Sequence, residues 1–223
     1  MAHTAGHPAS GIPVHKLYLT AYNILFASLW ASVFINATSN AHHGKFNLFA
    51  ATEAQARWIQ TASLIEVVHA ATGLVKSPVS TTALQVVTRV IQVWMVWFRF
   101  PQSTASSHAY LALLLAWSTA DTIRYTYLAL KMWNTAPQRL LWLRYTMFFP
   151  LYPIGIGAES WLLFRAIEPS RKTSAALPPV FWLCLMLYAP GSWKMYTHMI
   201  TQRYKTLSAP QKTMRAFKMG GYR

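Results

Sequence analysis

The sequence predicts an all-α membrane protein: a bundle of six transmembrane helices with both termini in the cytosol. Hydrophobic residues make up 54% of the chain and charged residues only 11%, whereas a soluble domain carries roughly a quarter charged residues. The apolar residues are gathered in six long runs that short polar stretches separate. Basic residues cluster at the C-terminus, which is typical of a segment on the cytosolic side of a membrane.

The chain divides into three parts by composition. Residues 1–15 are polar and contain Pro8 and Pro13, so we expect a disordered tail. Residues 16–207 hold all six predicted helices and form one domain. Residues 208–223 form a basic tail, which we expect in the cytosol.

The first two predicted helices cover residues 17–36 and 58–75. The first contains no charged residue, and a helix of that length rises about 30 Å, the thickness of a bilayer core. Residues 37–56 are more polar and are predicted to be a loop. The second helix ends where Lys76, Ser77 and Pro78 interrupt the apolar run.

The third and fourth predicted helices cover residues 79–98 and 107–130. Arg99 and Pro101 follow the third helix, and a loop over residues 131–139 with Pro137 follows the fourth. Proline lacks the backbone donor that a helix needs, so these positions mark helix ends.

The fifth predicted helix, residues 140–167, contains Pro153, Gly155 and Gly157 near its middle. Pro153 removes a backbone donor, so we expect the helix to be broken there. Irregular backbone at membrane depth is found where it lines a cavity. Close helix packing through small residues is the alternative interpretation.

The sixth predicted helix covers residues 180–200, after a loop over residues 168–179. Six crossings return the chain to the side on which it began. Six basic residues assign that side to the cytosol: Arg203, Lys205, Lys212, Arg215, Lys218 and Arg223. With this orientation, three further basic residues lie on cytosolic loops, namely Lys76, Lys131 and Arg139. Four basic residues lie on the opposite side of the membrane, namely Lys45, Arg57, Arg171 and Lys172.

Composition also excludes several classes of function. The net charge of +15 is spread between apolar runs, which favours anionic lipid headgroups over nucleic acid as the partner. Cys184 is the only cysteine, so neither an intrachain disulfide nor a cysteine-rich zinc site is possible. We predict no metal site. The sequence has no internal repeat, which argues against a transporter built from inverted halves.

Three acidic residues and several arginines lie inside predicted helices, among them Glu66, Asp121, Glu159, Arg89, Arg124 and Arg144. A charge at the centre of a membrane helix costs about 2.5–3.5 kcal/mol. These residues therefore face the interior of the bundle, pair with one another, or lie near an interface.

Polar residues also recur at helical spacing, which places them on single helix faces. The sets are Glu66 with His69, Asp121 with Arg124 and Tyr125, Gln85 with Arg89 and Gln92, and Tyr145 with Tyr152 and Glu159. Turned inward together, they would form a polar pocket in an apolar bundle. Asp121 and Arg124 either form a structural ion pair or line that pocket, and the same alternatives hold for Glu66.

Glu159 differs from the other acids because no basic residue lies three or four positions away. A buried carboxylate without a local partner is either held neutral or paired with a residue of another helix. Such a residue inside a membrane segment is a functional candidate.

Five motifs stand in order along the chain. They are Leu64-Ile65-Glu66-Val67-Val68-His69-Ala70, Ala116-Trp117-Ser118 with Asp121 and Ile123-Arg124-Tyr125, Trp142-Leu143-Arg144-Tyr145-Thr146, Leu151-Tyr152-Pro153-Ile154-Gly155 with Glu159, and Pro190-Gly191. Together they resemble the 3-hydroxyacyl-CoA dehydratase family, also known as the protein-tyrosine-phosphatase-like family. The resemblance covers about residues 16–207.

The resemblance implies a multi-pass enzyme of the endoplasmic reticulum membrane that needs no cofactor. Members of the family convert (3R)-3-hydroxyacyl-CoA to trans-2-enoyl-CoA and water, the third step of very-long-chain fatty acid elongation. The implied partners are this acyl-CoA, the lipid bilayer, and the condensing enzyme and reductases of the elongase. The family's catalytic tyrosine and glutamate, seven residues apart, match Tyr152 and Glu159.

Dehydration removes a proton from C2 and expels hydroxide from C3, so it needs a base and an acid. The sequence does not decide which of the two residues is the acid and which is the base; in one division of roles Glu159 takes the C2 proton. Tyr152 is expected either to protonate the leaving hydroxyl or to donate a hydrogen bond to the thioester oxygen. Seven helical residues rise about 10.5 Å, and a break at Pro153 would shorten that distance.

The rest of the substrate needs cations for the CoA phosphates and an apolar slot for the acyl chain. We predict that Arg89, Arg124, Arg144 and Lys76 bind substrate. Lys131, Arg139 and Arg203 are further candidates at the cytosolic mouth, and contact with lipid headgroups is the alternative for the cations there.

Three other functions compete with dehydration. Phosphatase chemistry needs a cysteine followed six residues later by arginine, but Pro190 follows Cys184 at that spacing, so this function is rejected. A non-catalytic scaffold of the elongase complex would keep the fold without needing Tyr152 or Glu159. A channel or transporter would use the polar stripes as a path.

Overall fold

The computed structural model describes the backbone of residues 13–220 and the side chains of residues 13–207. Within that part of the chain the secondary structure is helical, without a β-strand. The helices are α1 Val14–Asn40, α2 Lys45–Ala62, α3 Ile65–Ala71, α4 Val79–Ile91, α5 Pro101–Ala105, α6 His108–Met132, α7 Gln138–Thr146, α8 Phe148–Arg171 and α9 Leu177–Gly220. A 3₁₀ turn, Ala41–His43, follows α1, and a π-helical segment, Gln92–Phe98, continues α4.

Among residues 13–220, three helical stretches are long and apolar enough to cross a membrane: Val14–His43, Val79–Phe98 and Gln138–Arg171. They correspond to the first, third and fifth predicted helices. The prediction of an all-α protein with membrane-spanning helices is confirmed at this level. The predicted tail over residues 1–15 lies mostly outside the described residues, and α1 begins at Val14.

The predicted loop over residues 37–56 is wrong. The chain turns between α1 and α2 at Gly44, whose φ of +90° suits glycine. The sequence after Gly44 is rich in good helix formers, and Leu48, Thr52 and Ala56 recur every four residues on its buried face. Glu53, which the predicted loop contained, lies inside α2.

Glu53 is paired within its own helix. Oε1 of Glu53 lies 2.6 Å from Nε of Arg57, one turn along α2, and both side chains are buried. The Arg57 guanidinium also lies over the rings of Trp94 and Phe98, each 4.5 Å away. Glu53 is therefore a further acidic residue inside a helix of the bundle, and its charge is matched locally.

The second predicted helix is divided and ends earlier than expected. Residues 63 and 64 separate α2 from α3. Gly73 then adopts a left-handed φ of +72°, and its own amide donates to the Ala70 carbonyl across 3.2 Å. This is the hydrogen-bond pattern of a glycine C-cap, which ends α3 at Ala71.

The expected break at Pro153 is also wrong. Helix α8 runs through Pro153 without interruption, and the fifth segment is broken instead at Met147, between α7 and α8. Pro150 lies in the first turn of α8, where a backbone N–H would have no helical acceptor. The missing donor of Pro150 therefore fits a helix that restarts at Phe148.

Helix α6 lies at the centre of the bundle, between α1 and α8, and α9 packs on the outer side of α8. Large buried side chains fill the centre, among them Trp30, Trp97 and Tyr110. Between α6 and α8, Gly155 faces Ala116, and a Cβ added at Gly155 would lie 4.0 Å from the Cβ of Ala116. The small residue thus permits the close approach that brings the two helices' polar side chains together.

The last helix is longer than predicted. Helix α8 continues to Arg171 and α9 begins at Leu177, so the predicted loop over residues 168–179 shortens to residues 172–176. Helix α9 then continues past the predicted end at residue 200, as far as Gly220.

Candidate active site

Glu159 lies in the middle of α8 and is only 7% exposed. Its Oε1 accepts a hydrogen bond from the indole nitrogen of Trp117 on α6 across 2.7 Å. Its Oε2 accepts a hydrogen bond from the hydroxyl of Tyr188 on α9 across 3.0 Å. The sequence left two alternatives for Glu159: a carboxyl group held neutral, or a carboxylate paired with a residue of another helix. The structure provides partners on two other helices, and both partners are neutral hydrogen-bond donors.

Tyr152 lies two turns before Glu159 on the same helix and is half-buried. Its hydroxyl donates to the backbone carbonyl of Ser192 on α9 across 3.1 Å. Its ring stacks on Tyr196, with ring centroids 5.7 Å apart. Tyr152 and Glu159 thus lie on one face of α8, and both contact the same face of α9.

A second polar cluster lies between α3, α4 and α6. Arg124 forms a two-pronged pair with Glu66, with N–O distances of 2.9 and 3.2 Å. Its Nε also lies 3.1 Å from Oδ1 of Asp121. The other oxygen of Asp121 lies 2.7 Å from Nη1 of Arg89 on α4. Two carboxylates and two guanidinium groups therefore neutralise one another between three helices.

Asp121 and Arg124 form an ion pair within α6, which was one of the two alternatives for these residues, whereas the helical neighbours Glu66 and His69 have different partners. Glu66 accepts hydrogen bonds from the hydroxyls of Tyr125 and Tyr22 in addition to its pair with Arg124. His69 is bonded through Nε2 to the hydroxyl of Tyr18, 2.8 Å away.

Arg89 connects the charged cluster to the surroundings of Glu159. Its guanidinium lies over the ring of Trp117, 4.0 Å from the centroid, and Trp117 is the donor to Oε1 of Glu159. Trp117 also stacks on Trp97, with centroids 5.3 Å apart. A continuous line of contacts therefore runs from Glu66 to Glu159 through two arginines, Asp121 and one indole.

Of the four arginine and lysine residues predicted to bind substrate, only Arg89 and Arg124 belong to that line. Arg144, at the end of α7, lies over the ring of Tyr127 at 4.7 Å, and its Nη1 is buried without a hydrogen-bond partner among the described side chains. Lys76 is exposed in the turn between α3 and α4. The predicted set is therefore divided between the interior and the end of the bundle.

Sequence reasoning missed Tyr188 and gave no role to Trp117. A signal for Tyr188 was present, because Tyr188, Ser192 and Tyr196 recur every four residues and so share one face of α9. These three residues contact Glu159 and Tyr152. The donor role of Trp117 depends on how α6 and α8 pack, which local spacing does not reveal.

The arrangement suits proton transfer. A carboxylate that accepts two hydrogen bonds is the form a general base requires, and a phenol on the same helix face can donate a proton. Among the described side chains, no three His, Cys, Asp or Glu residues converge as a metal site would require.

Residues 60–209 match the family described as "Protein tyrosine phosphatase-like protein, PTPLA". The chain is 36% identical over 213 residues to rice "Very-long-chain (3R)-3-hydroxyacyl-CoA dehydratase PASTICCINO 2A", covering 89% of the chain and 96% of that relative.

Relatives in fungi and animals carry similar names. The fission yeast "Probable very-long-chain (3R)-3-hydroxyacyl-CoA dehydratase" is 37% identical over 191 residues, covering 84% of the chain and 91% of the relative. The human "Very-long-chain (3R)-3-hydroxyacyl-CoA dehydratase 2" is 30% identical over 211 residues, covering 88% and 83%. No solved structure matches the chain significantly.

Proposed function

The chain belongs to the protein tyrosine phosphatase-like (PTPLA) family, and from that membership we propose that it is a very-long-chain (3R)-3-hydroxyacyl-CoA dehydratase. Its relatives in rice, fission yeast and human are named as such dehydratases, and an enzyme with this activity is a hydro-lyase of fatty acid elongation. The substrate is a 3-hydroxyacyl-CoA, and the products are the trans-2-enoyl-CoA and water.

The observation that carries this function at the level of residues is the environment of Glu159. A buried carboxylate with a hydrogen-bond donor on each oxygen is suited to receive a proton. Tyr152 is a phenol on the same helix face, two turns away. We assign these two residues as the catalytic pair.

The reaction then needs two proton transfers, one from the substrate to the enzyme and one from the enzyme to the leaving hydroxyl. Glu159 takes the proton from C2, the electron pair of that C–H bond forms the C2–C3 double bond, and the C3–O bond breaks. Tyr152 gives its proton to the departing hydroxyl, which leaves as water. The hydrogen bond from Tyr152 to the Ser192 carbonyl must open when substrate binds, because the same hydrogen is needed at the substrate oxygen.

The roles of the four predicted substrate-binding residues follow from their positive charges and their positions in the bundle. Arg89 contacts the ring of Trp117, which donates to the Glu159 carboxylate, and so places positive charge near the thioester end of the substrate. Arg124, which pairs with Asp121, lies farther from Glu159 along the same line of contacts. Arg144 and Lys76 are assigned to the phosphates of CoA at the end of the bundle. The acyl chain extends into the apolar interior, where its burial is favourable by about 0.8 kcal/mol per methylene.

The membrane arrangement is part of the proposal. Six helical rods, formed by α1, α2 with α3, α4 with its π-helical continuation, α6, α7 with α8, and α9, account for six crossings. Residues 16–207 form the dehydratase domain, and residues 208–223 form a basic tail that lies in the cytosol with the N-terminus. We place the protein in the endoplasmic reticulum membrane, beside the condensing enzyme and reductases of the elongase.

The activity is tested with the full chain purified in detergent and (3R)-3-hydroxypalmitoyl-CoA, with the enoyl thioester detected by mass spectrometry. The wild type is expected to form trans-2-enoyl-CoA, and Tyr152→Phe is expected to lose most of the activity because the acid is gone. Tyr204→Phe, an exposed tyrosine on α9, is the matched control and should behave as wild type.

Two outcomes would contradict the proposal at different levels. Full activity in Tyr152→Phe would remove Tyr152 from the reaction while leaving the dehydratase function intact. A folded wild type that turns over no chain length of 3-hydroxyacyl-CoA would instead favour a non-catalytic scaffold of the elongase.

A further inference from the structure

Tyr188 faces Glu159 from α9, whereas Trp117 reaches the same carboxylate from α6. The Tyr188 hydroxyl lies 3.0 Å from Oε2, and the indole nitrogen of Trp117 lies 2.7 Å from Oε1. Each oxygen of the carboxylate thus has one donor, and the two donors belong to different helices. Two such hydrogen bonds fix the plane of the carboxylate and leave its other lone pairs free to accept a proton.

Helix α9 holds both members of the proposed catalytic pair. Tyr188 bonds to Glu159, and one turn further on the Ser192 carbonyl accepts the hydrogen of Tyr152. Another turn on, Tyr196 stacks against the Tyr152 ring. The side of α9 that faces α8 is therefore one wall of the site, and Tyr188 is its contact with the base.

Because both donors match the ionised carboxylate, they support Glu159 in the form that removes a proton. Trp117 can only donate, so its hydrogen bond orients the carboxylate without taking part in proton exchange. Tyr188 makes an equivalent bond to the other oxygen. A carboxylate held at one oxygen alone could rotate away from the line to C2, and small misplacements of this kind are costly in rate.

We propose that Tyr188 is a positioning residue of the dehydration, whose hydroxyl orients the Glu159 carboxylate towards C2 of the substrate. The inference rests on the proposed dehydratase function and adds a residue from α9 to it. Tyr188 acts through Glu159, so its loss should affect the removal of the proton rather than the binding of the acyl-CoA.

Tyr188→Phe tests this, since it removes the hydroxyl and keeps the ring. A hydrogen bond to a charged group contributes enough that kcat should fall about ten- to a hundredfold, while KM stays within about twofold. With substrate deuterated at C2, the isotope effect on kcat should rise, because proton removal limits the rate more strongly. Tyr204→Phe on the same helix is the control and should leave all three quantities unchanged.

The isotope effect separates positioning from folding. A merely structural role would lower the fraction of active enzyme and leave the isotope effect and KM at their wild-type values. That result would overturn the inference, as would an unchanged kcat or a loss confined to KM. A wild type without any turnover would overturn the dehydratase function itself, and this inference with it.

A second pair of variants covers the case in which Tyr188→Phe does not fold. Tyr188→Gln keeps an N–H donor on a flexible side chain, whereas Tyr188→Leu has none. We expect Tyr188→Gln to be at least several-fold more active per folded molecule than Tyr188→Leu. Equal activity of the two would show that the hydrogen bond does not matter.

Discussion

Trp117 has three roles at once. Its indole nitrogen donates to Glu159, one face of its ring lies against the Arg89 guanidinium, and the ring stacks with Trp97. The stacking and the cation–π contact need only an aromatic ring, but the hydrogen bond needs the indole N–H. A phenylalanine would therefore keep part of the packing and lose the donor.

Trp117→Phe is accordingly expected to lower kcat by about tenfold or more, the scale set by a hydrogen bond to a charged group. Steady-state kinetics of the purified variant measure this, with the folded fraction taken from size-exclusion chromatography. Trp161→Phe, an exposed tryptophan on α8, serves as control. Activity of Trp117→Phe within about twofold of wild type would show that Glu159 does not need this donor.

At the scale of elements, the site depends on how closely α6 and α8 approach. Gly155 lies one turn before Glu159 on α8, against Ala116, the residue next to Trp117. A single added Cβ at Gly155 would be in ordinary van der Waals contact at 4.0 Å. The methyl groups of a β-branched side chain would extend into the space between the helices and push them apart.

Gly155→Val should therefore destabilise the protein by about 1–3 kcal/mol, the usual cost of overpacking, and should weaken activity because Trp117 moves away from Glu159. Gly155→Ala should be close to wild type. The measurement is thermal unfolding in detergent, followed by the dehydratase assay. Gly157→Val is the matched control, since a Cβ there meets no atom within 4 Å; equal destabilisation at both glycines would contradict the close-approach argument.

The elements also show where prediction from the sequence succeeds and where it does not. Long apolar runs predicted the helices because burial in lipid depends on composition summed over many residues. The loop over residues 37–56 was wrong because α2 is amphipathic and polar enough to resemble a loop, although Leu48, Thr52 and Ala56 mark its buried face. The break was placed at Pro153 although Pro150 was the proline that fitted a helix start.

The candidate site likewise has features that the sequence could predict and features that it could not. The burial of Glu159 inside the bundle was predictable, since a carboxylate in an apolar segment is expected to face the interior, and the Asp121–Arg124 pair is compatible with a spacing of three. The partners on other helices were not predictable, because spacing along one helix does not encode which helix lies opposite. Arg89 with Asp121 and Tyr188 with Glu159 are such contacts.

For the whole molecule, the proposed arrangement of six rods places the connections between them at two ends. At one end, the indole nitrogen of Trp133 after α6 donates to Thr20 near the start of α1 across 3.0 Å, and Lys16 lies over the Trp133 ring. At the other end, Arg165 of α8 donates to Ser106, just before α6, across 2.7 Å. The proposed six crossings assign the first end to the cytosol.

Single cysteines introduced into a Cys184→Ser background test this arrangement with a membrane-impermeant maleimide. In sealed microsomes, cysteines that replace Ser77 and Thr135 should react from outside, which is the cytosolic face. Cysteines that replace His43 and Ser174 should react only after the membrane is permeabilised. Reaction at positions 77 and 174 from the same face would exclude six crossings.

The central claim is that a carboxylate on α8 removes the proton from C2. The most direct measurement compares the turnover of (3R)-3-hydroxypalmitoyl-CoA by purified wild type, Glu159→Gln and Glu168→Gln; Glu168 is a glutamate on the same helix with an exposed side chain. Loss of a general base typically costs about 10²–10⁴-fold in rate, so Glu159→Gln should lose at least a hundredfold while Glu168→Gln matches wild type. Equal turnover by all three proteins would contradict the account.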